Sequence, residues 1–140
     1  MLAEIIARLT AQAPTFKTVA GAAEFAALKN GPPKERQPAA YVIPIADQAG
    51  ANKLVNGVRQ QVASRFGVVL ALGNLGDPRG EAASKAIETT RAAVRAALIG
   101  WSPTAGDDPV TFAQGRMIGI QDGVVWWQDE FITGNTLSQV

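Results

Sequence analysis

VRQQVASRFGVVLAL, Val58 to Leu72, reads as a long extended pattern with two residue parities. Val58, Val62, Phe66, Val68, Leu70 and Leu72 share one, while Arg59, Gln61, Ala63, Arg65, Gly67, Val69 and Ala71 share the other. Successive Cβ atoms of a strand point to opposite faces of its sheet, so this pattern reads as one long strand. Its first face is apolar and suits a core. Its second face is polar at the start and small to apolar at the end. Strands usually run about 5–6 residues, so a strand this long outreaches a small sheet. Its first half therefore projects past the body or pairs outside the subunit. A second reading bends the strand through a bulge at Gly67.

Downstream, GNLGDPRG (Gly73 to Gly80) lacks both the GxxxxGK[ST] and the GxGxxG spacing, so it places no lysine to reach a phosphate. Glu81 to Leu98 then has helical periodicity. Ala83, Ile87, Thr90, Val94, Ala97 and Leu98 form an apolar stripe, with Lys85, Glu88, Arg91 and Arg95 outside it. The stripe is expected to pack through Ile87 and Val94 onto a sheet containing Phe66, Val68 and Leu70. Arg91 and Arg95 read as a solvated face that complements the helix dipole, or else as ligands for a partner's carboxylates. Gly100 ends the helix and Trp101 folds back on it.

After the loop SPTAGDDP comes RMIGIQDGVVWWQDEFITG, in which Asp122-Gly123 supplies the positive-φ turn of a hairpin. Trp126, Gln128 and Glu130 point one way, and Val125, Trp127, Asp129 and Phe131 the other. Asp129 and Glu130 thus do not converge as a catalytic carboxylate pair. One tryptophan belongs in the core and its neighbour faces the other side of the sheet. That second face is a contact surface if no helix covers it; burial of both tryptophans is the competing reading.

Upstream, Leu2, Ile5, Ile6 and Leu9 mark a short amphipathic helix that stops before Pro14. Gly21 to Leu28 can form another short helix, and Gly31 to Pro38 an exposed loop. AYVIPIAD (Ala40 to Asp47) reads as a strand with Tyr41, Ile43 and Ile45 on one face. Pro44 lacks an N–H, so it confines this strand to an edge or sits at an unpaired position.

Composition narrows the chemistry. With 140 residues, no cysteine and no histidine, the chain has no disulfide, no thiolate or imidazole catalyst and no zinc site of the Cys/His type. Thirteen basic against twelve acidic residues leave a net charge of +1, with no global field toward nucleic acid or an anionic membrane. The length suits one domain over residues 1–140. The start does not read as a signal peptide, and no apolar run approaches the roughly 20 residues of a membrane span, so a soluble protein made in the cytoplasm is expected.

In their order, MLAEIIARL, AAYVIPI, VRQQVASRFGVVLALGN, RGEAASKAIETTRAAVRAALIGW and GVVWWQDEF resemble the tail-terminator-like proteins of tailed bacteriophages over nearly the whole chain. RFGVVLAL and VWWQDEF are the most specific parts, and neither is a catalytic motif. The fold class expected is α/β, of the α+β type: a small mixed or antiparallel sheet with a long strand and a C-terminal hairpin. A major helix at about 81–99 and short N-terminal helices pack on it. The resemblance implies a non-enzymatic virion protein, assembled in the host cytoplasm and located at the head-tail junction. It implies a ring, commonly a hexamer, that caps the tail tube, stops its growth and receives the head or neck.

The partners implied are further copies of the chain, the tail tube protein and a neck or head-completion protein. No cofactor, metal, membrane or nucleic-acid sequence is called for. Strand parity nominates Arg59, Arg65, Trp126, Trp127 and Glu130 as subunit or tube contacts. Rival readings are another head-tail connector or tail-completion protein, and an enzyme using carboxylates such as Asp47, Asp129 and Glu130.

Overall fold

The computed structural model describes residues 1–28, 37–73, 81–121 and 123–139, with residues 81–83 described by their backbone alone. Most of the proline-bearing loop, the glycine-rich segment after Gly73 and Asp122 of the hairpin turn lie outside the described residues. In chain order the elements are α1 (Leu2–Gln12), β1 (Thr18–Ala20), α2 (Ala22–Ala26), β2 (Ala39–Ala49), β3 (Val58–Gly73), α3 (Glu81–Leu98), β4 (Asp108–Gln121) and β5 (Val124–Gln139). The strands form one five-stranded sheet in the order β1-β2-β3-β5-β4. β1 is parallel to β2 and the other pairs are antiparallel, which makes the sheet mixed.

The parity of Val58 to Leu72 holds throughout β3, which pairs with β5 without interruption from Val58↔Gln139 to Gly73↔Val124. The alternative reading, a bulge at Gly67, does not hold. The register shift sits on β2 instead, between Pro44 and Ala46 opposite Phe66 and Arg65. Proline has no N–H for the ladder, so the irregularity falls where a bond is already missing. β1 pairs with β2 only from Ala39 to Tyr41, leaving Pro44 on a stretch of β2 whose outer edge has no partner among the described residues. Gly67 has a different use: Ile43 and Ile45 of β2 lie where its side chain would be, 3.3 and 3.1 Å from an ideal Cβ.

β4 begins at Asp108, inside the segment expected to be loop, and β5 continues to Gln139. Pairing with the projecting half of β3 draws β5 beyond its apolar core positions. The three-residue β1 was not read from the sequence because its TVA is too short to show a period. β4 is an edge strand. Ile99 to Trp101 bonds it at Val110, and its pairing with β5 shifts register three times, at Asp108/Thr111, Phe112/Gln114 and Met117/Gly119.

α1 and α3 cover one face of the sheet. Ile5 and Leu9 of α1 and Val94, Ala97 and Leu98 of α3 bury against Ala40, Val42, Phe66, Val68, Leu70 and Phe131. Fully burying an aliphatic or Phe side chain of this kind stabilises by about 1.5–3 kcal/mol. Ile87 is only half-buried and lies outside this core, so Val94 and the last helical turn seat α3. The helix ends at Gly100 with φ +85°, and Trp101 folds back to donate its N–H to Leu98 O at 3.1 Å. Arg8 ties the two helices together. Its Nε donates to Ala97 O at 2.9 Å, satisfying a carbonyl at the helix end, and its guanidinium lies 5.2 Å over Trp101.

The short α2 covers part of the other face. There Ala39, Tyr41, Val69, Ala71 and Val124 form a second, smaller cluster, with Phe25, Ile43 and Trp126 packed on it. β2 from Pro44 and β5 from Thr136 are exposed, so with the first residues of β3 they form an arm beyond the helices.

Candidate functional site

β5 divides its side chains between the two faces as the alternation requires. Asp129 pairs with Val68 and Gly115, Glu130 with Gly67 and Gln114, and the two carboxylates leave the strand in opposite directions.

Asp129 is fully buried under α3. Arg91 grips both of its oxygens, with Nε 3.1 Å from each and Nη2 2.9 Å from Oδ1. Trp127 Nε1 donates to the same Oδ1 at 2.9 Å, and the Arg91 guanidinium lies 4.4 Å over the Trp127 ring. This corrects the reading of Arg91 as a solvated residue or a ligand for a partner: its carboxylate lies within its own subunit. The planar fork of arginine suits a bidentate carboxylate and an aromatic face together. Gly115, directly across from Asp129, leaves the space this requires, because a Cβ there would collide with the Asp129 carboxylate and the Arg91 guanidinium.

Glu130 is also buried, but on the other face, 5% exposed. Arg65 Nη1 donates to its Oε1 at 3.1 Å, and Gln114 and Gln128 donate to Oε2 at 3.1 and 3.0 Å. Burial by itself raises the carboxyl pKa. Hydrogen bonds from Gln114, Arg65 and Gln128, with the charge of Arg65, outweigh it and hold Glu130 below the usual glutamate value. Arg65 remains 37% exposed and presents the outer side of this cluster to solvent.

Of the residues nominated from strand parity, the structure brings Arg65 and Glu130 together. Trp126 shares their face, but it pairs with Ala71 four positions along, about 13 Å away, and is half-buried with Phe25 at 6.0 Å between centroids. Trp127 is half-buried on the helix side. Arg59 is exposed on the arm, its backbone N–H donating to Asn52 Oδ1 at 2.8 Å. The two tryptophans thus occupy opposite faces, and α2 covers part of the second.

Strand parity did not identify Gln114, Gln128, Gly115 or the pairing of Arg91 with Asp129. The Trp-x-Asp spacing at Trp127 and Asp129 was the available signal, since it puts an indole donor and a carboxylate on one face. Also unread was an apolar groove of about 510 Å³ between α2 and the end of β4, lined by Phe25, Leu28, Ile118, Ile120 and Trp126. The unbroken apolar character of MIGI, Met117 to Ile120, was the clue to it.

Asp47 is exposed on the arm, Asp129 sealed beneath α3 and Glu130 buried on the opposite face, so these three acids share no cavity. Among the described residues no cluster of acidic side chains could hold a metal ion, and no helix is long and apolar enough to cross a membrane.

A family model described as phage tail terminator protein matches residues 1–139. Among solved structures, a chain titled "Virion of native gene transfer agent (GTA) particle" is similar over 100% of this chain and 95% of its own, at 17% identity and a TM-score of 0.55. At that identity the likeness is one of fold. No curated protein sequence matches.

Proposed function

Because this chain belongs to the phage tail terminator family, we propose that it closes the end of the tail tube as a ring of identical subunits, six in number. The ring stops tube polymerisation and offers its far side to the head or neck. Family membership makes the chain a structural protein of a phage tail, and the match over residues 1–139 is the observation that carries the reading. The shape agrees with it. A head-to-tail ring needs two different surfaces on each subunit, and this sheet has a helix-covered face, a partly open face and an arm that runs past both.

Within this reading Arg59, Arg65 and Trp126 contact neighbours or the tube. Trp127 and Glu130 set the two faces from inside. Mass measurement in solution, combined with electron microscopy of purified tail tubes, tests the proposal. Six-subunit rings at one end of each tube are expected. A protein that stays monomeric both in solution and on tubes overturns it, and a ring bound away from the tube end assigns the chain to another connector position.

A further inference from the structure

The long strands carry unlike structures at their two ends. At the arm tip, the loop between β2 and β3 holds Val55 out to solvent, 99% exposed. The loop is organised by Asn52, whose Nδ2 donates to Leu54 O and Gly57 O at 3.2 and 2.9 Å. Its Oδ1 accepts from the N–H groups of Leu54 and Arg59 at 3.2 and 2.8 Å. Gly57, at φ +113°, completes a turn that a side chain would strain. An apolar residue fixed outward on an ordered loop has little conformational entropy left to lose on insertion into a partner.

The opposite end carries the apolar groove. Ile118 and Ile120 on its rim are 51% and 67% exposed, and Phe25 and Trp126 line it. From Val58, at the base of the tip loop, to Ala71, beside Trp126, β3 spans about 40 Å. The tip of one molecule therefore cannot reach its own groove.

We propose that the Val55 loop of one copy seats in the groove lined by Phe25, Ile118, Ile120 and Trp126 of the next copy, forming a head-to-tail interface. A knob and a hole on different parts of one surface make a heterologous contact, which closes into a ring when the rotation between copies permits. Burying Val55 and the isoleucine rim removes apolar surface that nothing within the described subunit covers. The inference rests on the ring reading given above and names the contact that would build it.

The chain has no cysteine, which permits a direct test. Val55→Cys and Ile120→Cys are made singly and together, and oxidised under the conditions in which wild type assembles, in solution or on purified tubes. Both sites are exposed, so neither change disturbs the core. The double variant should give a ladder of disulfide-linked oligomers, and the two single variants mixed should give linked dimers. Each single variant alone should stay unlinked. Val55→Asp should raise the concentration needed for assembly by about tenfold or more, as loss of an interface anchor does.

Rings of normal mass with no ladder, or a Val55→Asp protein that assembles normally, would overturn this interface and leave the ring reading standing. A disulfide closed within one monomer, or a different virion protein or small apolar molecule found in the groove of intact rings, would overturn it as well. A wild type that never assembles, in solution or on tubes, would overturn both.

Discussion

Asp129 and Glu130 are neighbours in the chain, both buried and both paired with arginine, yet they serve different ends. Asp129 lies wholly under α3, and its arginine is itself four-fifths buried; Glu130 meets an arginine that is 37% exposed. On the covered face a charged pair fixes the helix to the sheet. On the open face a similar pair holds a polar patch together without a layer above it. Burial of the partner, more than the length of the bond, separates a clamp from a surface feature, because water screens the second and not the first.

The most severe way to break the comparison is Arg91→Ala. It leaves the Asp129 carboxylate buried with Trp127 as its remaining side-chain donor among the described residues, and removing one partner of a buried ion pair costs about 3–5 kcal/mol. Chemical denaturation should show that loss, and an unchanged midpoint would mean that α3 is held by its apolar contacts alone. Gly115→Ala should come next, at about 1–3 kcal/mol, since the added methyl must displace the Asp129 carboxylate or the guanidinium. A neutral result would show that the edge strand can move aside.

Glu130→Gln should cost no more than about 1 kcal/mol at neutral pH, as expected for a pair with an exposed member. Its sharper signature is in acid. The folded carboxyl pKa is depressed, so its stabilisation is present above the unfolded value of 4.5 and is lost as pH falls through the folded one. Wild type should therefore lose stability below about pH 4.5 more steeply than the variant. Parallel acid limbs would remove Glu130 from the account. The smallest effect belongs to Arg59→Glu, within about 0.5 kcal/mol, because nothing acidic is paired with that exposed side chain among the described residues. Arg65→Glu, which sets a second carboxylate against Glu130, should melt below it.

Much of the sheet was legible in the sequence because the relevant signals are local and periodic. The two parities of Val58 to Leu72, the opposite directions of Trp126 and Trp127, and the stop at Gly100 follow from chain geometry and recur in the structure. The pairing of Arg91 with Asp129 was not legible. It joins residues 38 positions apart, and nothing in the spacing of either shows that a helix will lay one over the other. Ile87 misled for a related reason: it belongs to the apolar stripe, but where α3 meets the sheet is set by Val94 and Leu98 together with Arg8 of α1. The apolar groove escaped notice because it draws on α2 and β4, which are far apart in sequence.

The repeated register shifts of β4 have a further consequence. A long edge strand with regular pairing offers its free amide and carbonyl groups to any similar edge, and such contacts propagate without limit into fibres. Each shift adds an unmatched residue and turns the backbone groups out of line. β4 is thereby a poor template for a strand from another molecule. Sheet extension is therefore obstructed along the β4 border, which leaves the exposed stretch of β2 beyond Tyr41, with Pro44 in it, as the sheet's other open edge among the described residues.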